Sequence, residues 1–319
     1  MKKILVTGGT GFIGAALVKR LVDEGNEVRV LDNNTRGSID KLGEYYNKIE
    51  FIEGDVRDDR VVDNAANGIN VLFHLAAVNG TRYFYEHPSR VLEVSLKGAL
   101  NTLDSVIKHK IEKYIIASSS EVYQQPTTIP TPETERLIIP DVMNERYSYA
   151  GGKIISELLA MNYAKSYGFE TIIFRPHNIY GPDMGNEHVI PELIQKIKIA
   201  SNNFCKNNVQ ISIQGTGQET RAFCYIDDFV DGLMACYKYG ESNEIYNIGD
   251  DTREISIMDL LLIIGDIMGI NVFISHADIR VGGTTRRCPD IRKIRNLGFQ
   301  PSTTLTDGLT QTIDWYKNH

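Results

Sequence analysis

The 319-residue chain has no apolar run approaching the ~20 residues that cross a bilayer. No membrane partner is therefore expected. It has no CxxC pair, and its four cysteines, Cys205, Cys224, Cys236 and Cys288, carry no metal-ligand spacing. They read as free thiols of a reducing compartment, with Cys224 and Cys236 placed in the core, and no metal site is expected. The chain also lacks a basic surplus. A formal net charge of -7 excludes the broad cationic footprint of a nucleic-acid binder, while a local basic pocket for a phosphorylated ligand stays open. No repeat or low-complexity linker interrupts the chain. The segment before the first glycine motif is too short for a signal peptide, so a cytoplasmic protein is expected. With 42% hydrophobic and 24% charged residues, the composition is that of a globular protein with a sizeable core. The length suggests roughly two folding units.

The first half alternates short apolar strands with amphipathic helices. Strands are expected at Lys3–Thr7, Glu27–Asp32, Ile49–Glu53, Val71–His74, Lys113–Ala117 and Thr171–Phe174. Helices are expected at Phe12–Glu24, Ser89–Lys108 and Tyr149–Tyr167. Such βαβ alternation predicts an α/β fold, a Rossmann-type doubly wound parallel sheet with helices on both faces. Beyond Gly181 the pattern loosens. Helices at Val189–Ala200, Asp227–Tyr239, Ile257–Met268 and Thr306–Asn318 accompany short strands near Val209–Ile213 and Val272–Ser275. The expected division is a nucleotide-binding unit over residues 1–181 and a smaller α/β lobe over 182–319, with chain excursions between them.

Gly8, Gly11 and Gly14 lie between the first strand and the first helix, in Thr7-Gly8-Gly9-Thr10-Gly11-Phe12-Ile13-Gly14. Glycine permits a tight turn and close approach of a pyrophosphate to the backbone, and the helix N-terminus supplies free N–H groups. Asp32 ends the second strand 18 residues after Gly14. A carboxylate there accepts hydrogen bonds from adenosine ribose hydroxyls and repels a 2′-phosphate, which predicts NAD as cofactor. Arg36 keeps NADP as the competing possibility.

Tyr149 and Lys153 form a Tyr-x-x-x-Lys pair, and on a helix positions i and i+4 share a face. A free tyrosine has a pKa of about 10, and a neighbouring Lys⁺ favours its phenolate. Ser118, Ser119, Ser120 and Glu121 follow the fifth strand, where a hydroxyl can hydrogen-bond the oxygen of an alcohol being oxidised.

Together these motifs resemble the extended branch of the short-chain dehydrogenase/reductase family, over nearly the whole chain. The resemblance implies an NAD-dependent enzyme acting on a nucleotide-linked sugar, with a UDP, GDP or dTDP moiety. It places Asp55, in Gly54-Asp55-Val56, at the adenine, although a helix or turn cap explains an aspartate there equally well. Leu75, Ala76 and Ala77, following His74, fall on the nicotinamide side; His74 itself reads as a packed strand-end residue. Phe12, Ile13, Asn33, Val56 and Pro176 are implied as further cofactor contacts. On the substrate side the resemblance implies Asn178, in Asn178-Ile179-Tyr180-Gly181-Pro182, and Asn79, Gly80, Thr81 and Val189. Arg221 and Arg287 would grip the diphosphate, a role suited to a planar guanidinium. The family's four-helix interface implies a homodimer through Ser89–Lys108 and Tyr149–Tyr167.

The chain also departs from the family. Gly152 replaces the usual Ser or Thr before the lysine, and Gly151 precedes it; close approach of a ligand or another element would account for both. Ser95 stands for the usual Asn, Gln124 for the usual Gly, and Asn79-Gly80-Thr81 is not the common epimerase loop. The resemblance implies a shared first step, oxidation at C4 to a 4-keto sugar. A 4-epimerase is the first expectation. A UDP-glucuronate decarboxylase is similar at Ser120-Glu121-Val122-Tyr123 and at Arg146-x-x-Tyr149-x-x-Gly152-Lys153, and a 4,6-dehydratase also remains open. Simple epimerases generally lack Glu121, which is either catalytic or a strand-end residue bonded to the helix. A non-catalytic NAD-sensing protein on the same fold is the alternative from another class.

Overall fold

The computed structural model describes residues 1–277 and 284–319. In its first half, β1 (Lys3–Thr7), α1 (Phe12–Asp23), β2 (Glu27–Asp32), β3 (Glu50–Glu53), α2 (Asp59–Ala66), β4 (Val71–His74), α3 (Thr81–Glu86), α4 (Pro88–His109), β5 (Lys113–Ala117), α5 (Ser148–Tyr167) and β6 (Glu170–Pro176) follow in order. The second half adds β7 (Ile179–Tyr180), α6 (Val189–Ala200), β8 (Asn208–Gln214), β9 (Thr220–Ala222), β10 (Cys224–Tyr225), α7 (Ile226–Tyr239) and β11 (Glu244–Ile248). Then come β12 (Glu254–Ser256), α8 (Ile257–Met268), β13 (Asn271–Ala277), β14 (Arg286–Arg287), α9 (Arg292–Arg295) and α10 (Leu305–Asn318).

A seven-stranded sheet in the order β11-β6-β5-β4-β1-β2-β3 forms the centre. Every pairing in it is parallel. Its central strands β1, β4 and β5 are mostly buried because both faces are covered, whereas the edge strand β3 is only half-buried. Ile4, Val6, Val30 and Phe73 pack on one side with α1 and α7 residues such as Leu17 and Phe229. Leu5, Leu31, Leu72 and Ile116 point the other way, against Val62 of α2, Val91 of α4 and Ala160 of α5. The strand order reverses at β1, so a crevice opens beyond the carboxyl ends of β1 and β4, where open α/β sheets bind ligands.

Helix boundaries follow local chemistry. Asp58 caps α2 by accepting from the amides of Arg60 and Val61. Pro88 begins α4, and Gly168 ends α5 in the left-handed region at φ +77. The segment Ile39–Lys48, unassigned by periodicity, is 3₁₀.

Residues beyond 181 do not stay in one lobe. β11 pairs with β6 at the sheet edge and α7 packs with α1, so the segment from Ile226 to Ile248 belongs to the first unit's layers. Helices α6, α8 and α10 pack around the parallel pair β8 and β13, while α9 returns to β11 and α7. All four cysteines are free; Cys224, Cys236 and Cys288 are buried. Among the described residues no helix is long and apolar enough to cross a membrane, and no group of three His, Cys, Asp or Glu side chains is placed to hold a metal.

Two family departures meet in space. A Cβ on Gly152 would lie 2.8 Å from the Ser95 Cβ, so the glycine in α5 and the small serine in α4 let the two helices close together. Gly151 likewise approaches Ile139.

Candidate active site

A cavity of about 590 Å³ runs along the carboxyl edge of the sheet. At one end the turn after β1 forms a cradle. Gly8 has φ +75, and a Cβ there would sit 2.7 Å from the Ala76 amide nitrogen. Gly14 packs on the Gly8 carbonyl so closely that no side chain fits. Gly11 caps α1 without any side-chain hydrogen bond, and Gly11, Phe12, Ile13 and Gly14 all line the cavity. The first-turn N–H groups of α1 thus face an anion-sized opening. These residues fit a dinucleotide pyrophosphate.

Asp32 lines the same end and braces it. Its two oxygens accept from the Thr10 amide at 3.0 Å and the Asn34 amide at 2.9 Å. A carboxylate has about four acceptor sites, so ribose hydroxyls can still be received. Arg36 lines the wall too, but its guanidinium pairs with Glu187 at 2.5 Å and lies 4.4 Å above the Tyr83 ring. It is committed within the protein rather than free for a 2′-phosphate. Asp55 takes the Arg57 guanidinium on both oxygens and the Asn33 amide at 3.1 Å; these bonds, Arg57 foremost, hold its carboxyl below the usual range. Val56, Leu75, Ala76, Ala77 and Pro176 complete the wall on the cofactor side.

The other end carries the reactive groups. Tyr149 and Lys153 lie on one face of α5, both buried, with the Lys153 nitrogen 5.8 Å from the centre of the phenol ring. Lys153 donates to the Ala117 carbonyl at 2.8 Å. Burial lowers its pKa to about 8, against the pull of Glu157 one turn further along. Burial pushes the Tyr149 phenol upward; the neighbouring Ser119 hydroxyl pulls it down, and the charge of Glu121 raises it again. Desolvation thus opposes phenolate formation in the free protein, and a cation arriving beside the ring would relieve it. His74, buried against Thr7 at 2.8 Å, is driven down to about 3 and stays neutral, as a packed strand-end residue should.

Ser120 and Glu121 also line the cavity. Glu121 accepts from Arg287 at 2.8 Å and lies 3.9 Å from Arg146. Burial alone would raise its carboxyl; Arg287 and Arg146 outweigh that and hold it below the usual range. Arg287 comes from 166 residues downstream through β14, which pairs with β9 and sets Arg287 beside Arg221. Arg287 reaches the cavity wall, whereas Arg221 does not; it donates to the Thr220 and Thr284 carbonyls at 2.7 Å. Burial, then the charge of Arg287, lowers Arg221 to about 10. Asn79, Gly80, Thr81 and Asn178 line the cavity; Asn178 spends its amide on the Ala222 carbonyl at 2.9 Å. Val189, the first residue of α6, lies off the wall.

Several wall residues escaped the sequence reading. Tyr83 and Phe84 come from the one-and-a-half turns of α3, too short to show a period. Arg90 contributes a buried Nε with no partner. Lys41 pairs with Asp183 across the mouth. Nothing in local sequence marks them, because each acts through a neighbour distant in the chain.

Comparison with known proteins identifies the family. The profile of the NAD dependent epimerase/dehydratase family matches residues 4–249. A putative UDP-glucose 4-epimerase of Methanocaldococcus jannaschii is 32% identical, over 99% of each chain. A UDP-N-acetyl-alpha-D-glucosaminuronate decarboxylase of Bacillus cytotoxicus is 31% identical, over 99% of this chain and 98% of that one. The crystal structure of the dTDP-glucose 4,6-dehydratase of Streptomyces venezuelae, solved with NAD bound, superimposes with a TM-score of 0.88 at 27% identity, covering 99% of this chain and 97% of that one. The chain belongs to the NAD-dependent epimerase/dehydratase family and is an NAD-dependent enzyme of nucleotide-sugar modification.

Proposed function

We propose that the chain is a nucleotide-sugar 4-epimerase. The observation that carries this reading is the state of Glu121, the carboxylate beside Tyr149. It is held ionised and engaged by Arg287 and Arg146. An elimination across C5–C6 needs an acid and a base; Ser120 stands where a second acid would be, and Glu121 is already occupied. Return of hydride at C4 needs neither. Tyr149 takes the proton of the C4 hydroxyl, Ser119 orients that oxygen, and Lys153 stabilises the phenolate while holding the cofactor ribose. The chemistry supplied by bound NAD is acceptance of the C4 hydride and its return to the opposite face of the keto sugar. Arg287, on the wall, would meet the diphosphate, and Arg221, its strand neighbour off the wall, would add positive charge behind it.

A second reading, decarboxylation of a nucleotide-linked uronate, is favoured by the same cluster. Three guanidiniums surround one carboxylate, leaving positive charge for a second anionic group. The deciding experiment is product analysis by NMR with UDP-, GDP- and dTDP-hexoses and UDP-glucuronate. The expected result is a C4 epimer, loss of turnover by about 10²–10⁴-fold in Tyr149→Phe with NAD binding kept, and retained turnover in Glu121→Gln. Release of carbon dioxide or of a 6-deoxy-4-keto sugar, abolished in Glu121→Gln, would overturn the epimerase reading.

A further inference from the structure

In helix α3 only Phe84 is buried, at 4% exposure, and Tyr83 is half-buried; the other four residues are exposed. Phe84 joins the core cluster that lies between the sheet and α4 and α5, at the edge where that cluster meets the cavity. Its ring lies on the Tyr149 ring, with centroids 4.9 Å apart and planes 12° from parallel. The helix carrying it is itself pinned. Gly80 starts it at φ +124, a conformation that strains any other residue, and the next side chain, Tyr83, is clamped under Arg36, which Glu187 holds in turn.

We propose that Phe84 is a positioning residue for the proton-transfer step, stacked flat on Tyr149 so that the phenol cannot swing away from Ser119 and water cannot reach its covered face. The inference rests on Tyr149 as the base. Swinging perpendicular to its own plane is the motion that would carry the phenol oxygen off the reacting hydroxyl, and that direction is the one Phe84 blocks. Offset stacking is a favoured arrangement for two rings at this distance. A dry face also strengthens the interaction of the phenolate with Lys153, because charge interactions grow as the surroundings become less polar.

Phe84 brings no charge to the site. The charged groups facing Tyr149 are Lys153 on its own helix and Glu121 with its partners Arg146 and Arg287; Arg90 lines the same cavity from α4. His74 of β4 is neutral, and Arg82 of α3 pairs with Glu86 at the surface. A change at residue 84 therefore acts on Tyr149 through cover and placement alone.

The test compares wild type with Phe84→Leu and Phe84→Ala, the leucine variant keeping most of the apolar volume. Tyrosinate absorbance is followed against pH in the NAD-loaded protein, and the step missing from Tyr149→Phe belongs to Tyr149. Uncovering the ring should move that step to lower pH, by about half a unit or more in Phe84→Leu and further in Phe84→Ala. Turnover should fall on the order of ten-fold in Phe84→Leu with KM for the sugar nucleotide little changed, the mark of misplacement rather than lost binding. If Phe84→Leu lowers the melting temperature but leaves the Tyr149 step and kcat at wild-type values, Phe84 is mere packing and the proposal fails. If Tyr149→Phe itself retains turnover, the base assignment fails instead, whatever the leucine variant does.

Discussion

Two acid–arginine pairs lie close to Tyr149 and Lys153, one of them with its acid on α5 itself, and they are built differently. Glu157 and Arg175 are sealed in the core, with side chains 6% and 2% exposed. Both guanidinium edges are used: Nε donates at 2.8 Å and NH2 at 2.6 Å to the two Glu157 oxygens, while NH1 donates to the Tyr123 hydroxyl and the Glu133 carbonyl. Ser118 donates to the same carboxylate. Glu121 and Arg287 sit on the cavity wall, 22% and 12% exposed, joined by one bond, with Arg146 further off. The first pair has every polar group satisfied and no room for a ligand. The second has unspent donors facing a cavity. Complete satisfaction marks a structural pair; an incomplete set on a wall marks one that meets something else.

The largest expected effect is on the sealed pair. Glu157→Ala leaves the Arg175 charge buried without a partner and should cost about 3–5 kcal/mol of stability. The double change Glu157→Leu with Arg175→Met should recover most of that loss, whereas Glu121→Gln should cost no more than about 1 kcal/mol. Urea denaturation of the four proteins measures this. Equal losses at Glu157 and Glu121 would erase the distinction between the two pairs.

Next comes Lys153, between the pairs. Burial lowers its pKa to about 8 from an unfolded value near 10.4. The folded state therefore resists its charge, and that cost is present below pH ~8 and disappears as pH rises toward the unfolded value. Lys153→Met should gain on the order of 1–3 kcal/mol at neutral pH. The gain should shrink steadily above pH ~8, while turnover is lost. A gain independent of pH would place the benefit in packing rather than charge.

The smallest effect concerns a third pair, Arg36 with Glu187, which spans the cavity mouth at 25% and 29% exposure. Glu187→Gln should barely change stability, since half-exposed pairs contribute about 0–1 kcal/mol. It releases Arg36 from its carboxylate and should tighten NADP(H) binding several-fold, with NAD(H) still preferred because Asp32 remains. Equilibrium titration with both dinucleotides checks this. An unchanged ratio would mean that Tyr83 alone holds Arg36.

Much of the fold was legible in the chain. Strands β1, β2 and β4 and helices α6 and α8 fall where periodicity puts them, because apolar runs and amphipathic repeats are local properties. β11 was not legible as a sheet strand: Glu244–Ile248 is a short run, and only its pairing with β6 makes it the edge. The glycine cradle and the Tyr149–Lys153 face were legible too, since turn and helix geometry follow from spacing alone. Glu121 remained undecided in sequence because its meaning depends on Arg287, 166 residues away.

The sequence by itself determined the parallel sheet, the glycine cradle at its carboxyl edge, the acid that ends β2 and the tyrosine–lysine pair on one face of α5. Each follows from residues within one element or one turn, where backbone geometry leaves little freedom. Only the tertiary structure decided that Arg36 is neutralised by Glu187, that Gly152 and Ser95 answer each other across two helices, that Arg221 stands behind Arg287 rather than on the wall, and that Phe84 lies on the Tyr149 ring. Those are contacts between elements, set by how the layers pack, and no local pattern encodes a partner that the chain reaches only after it has folded.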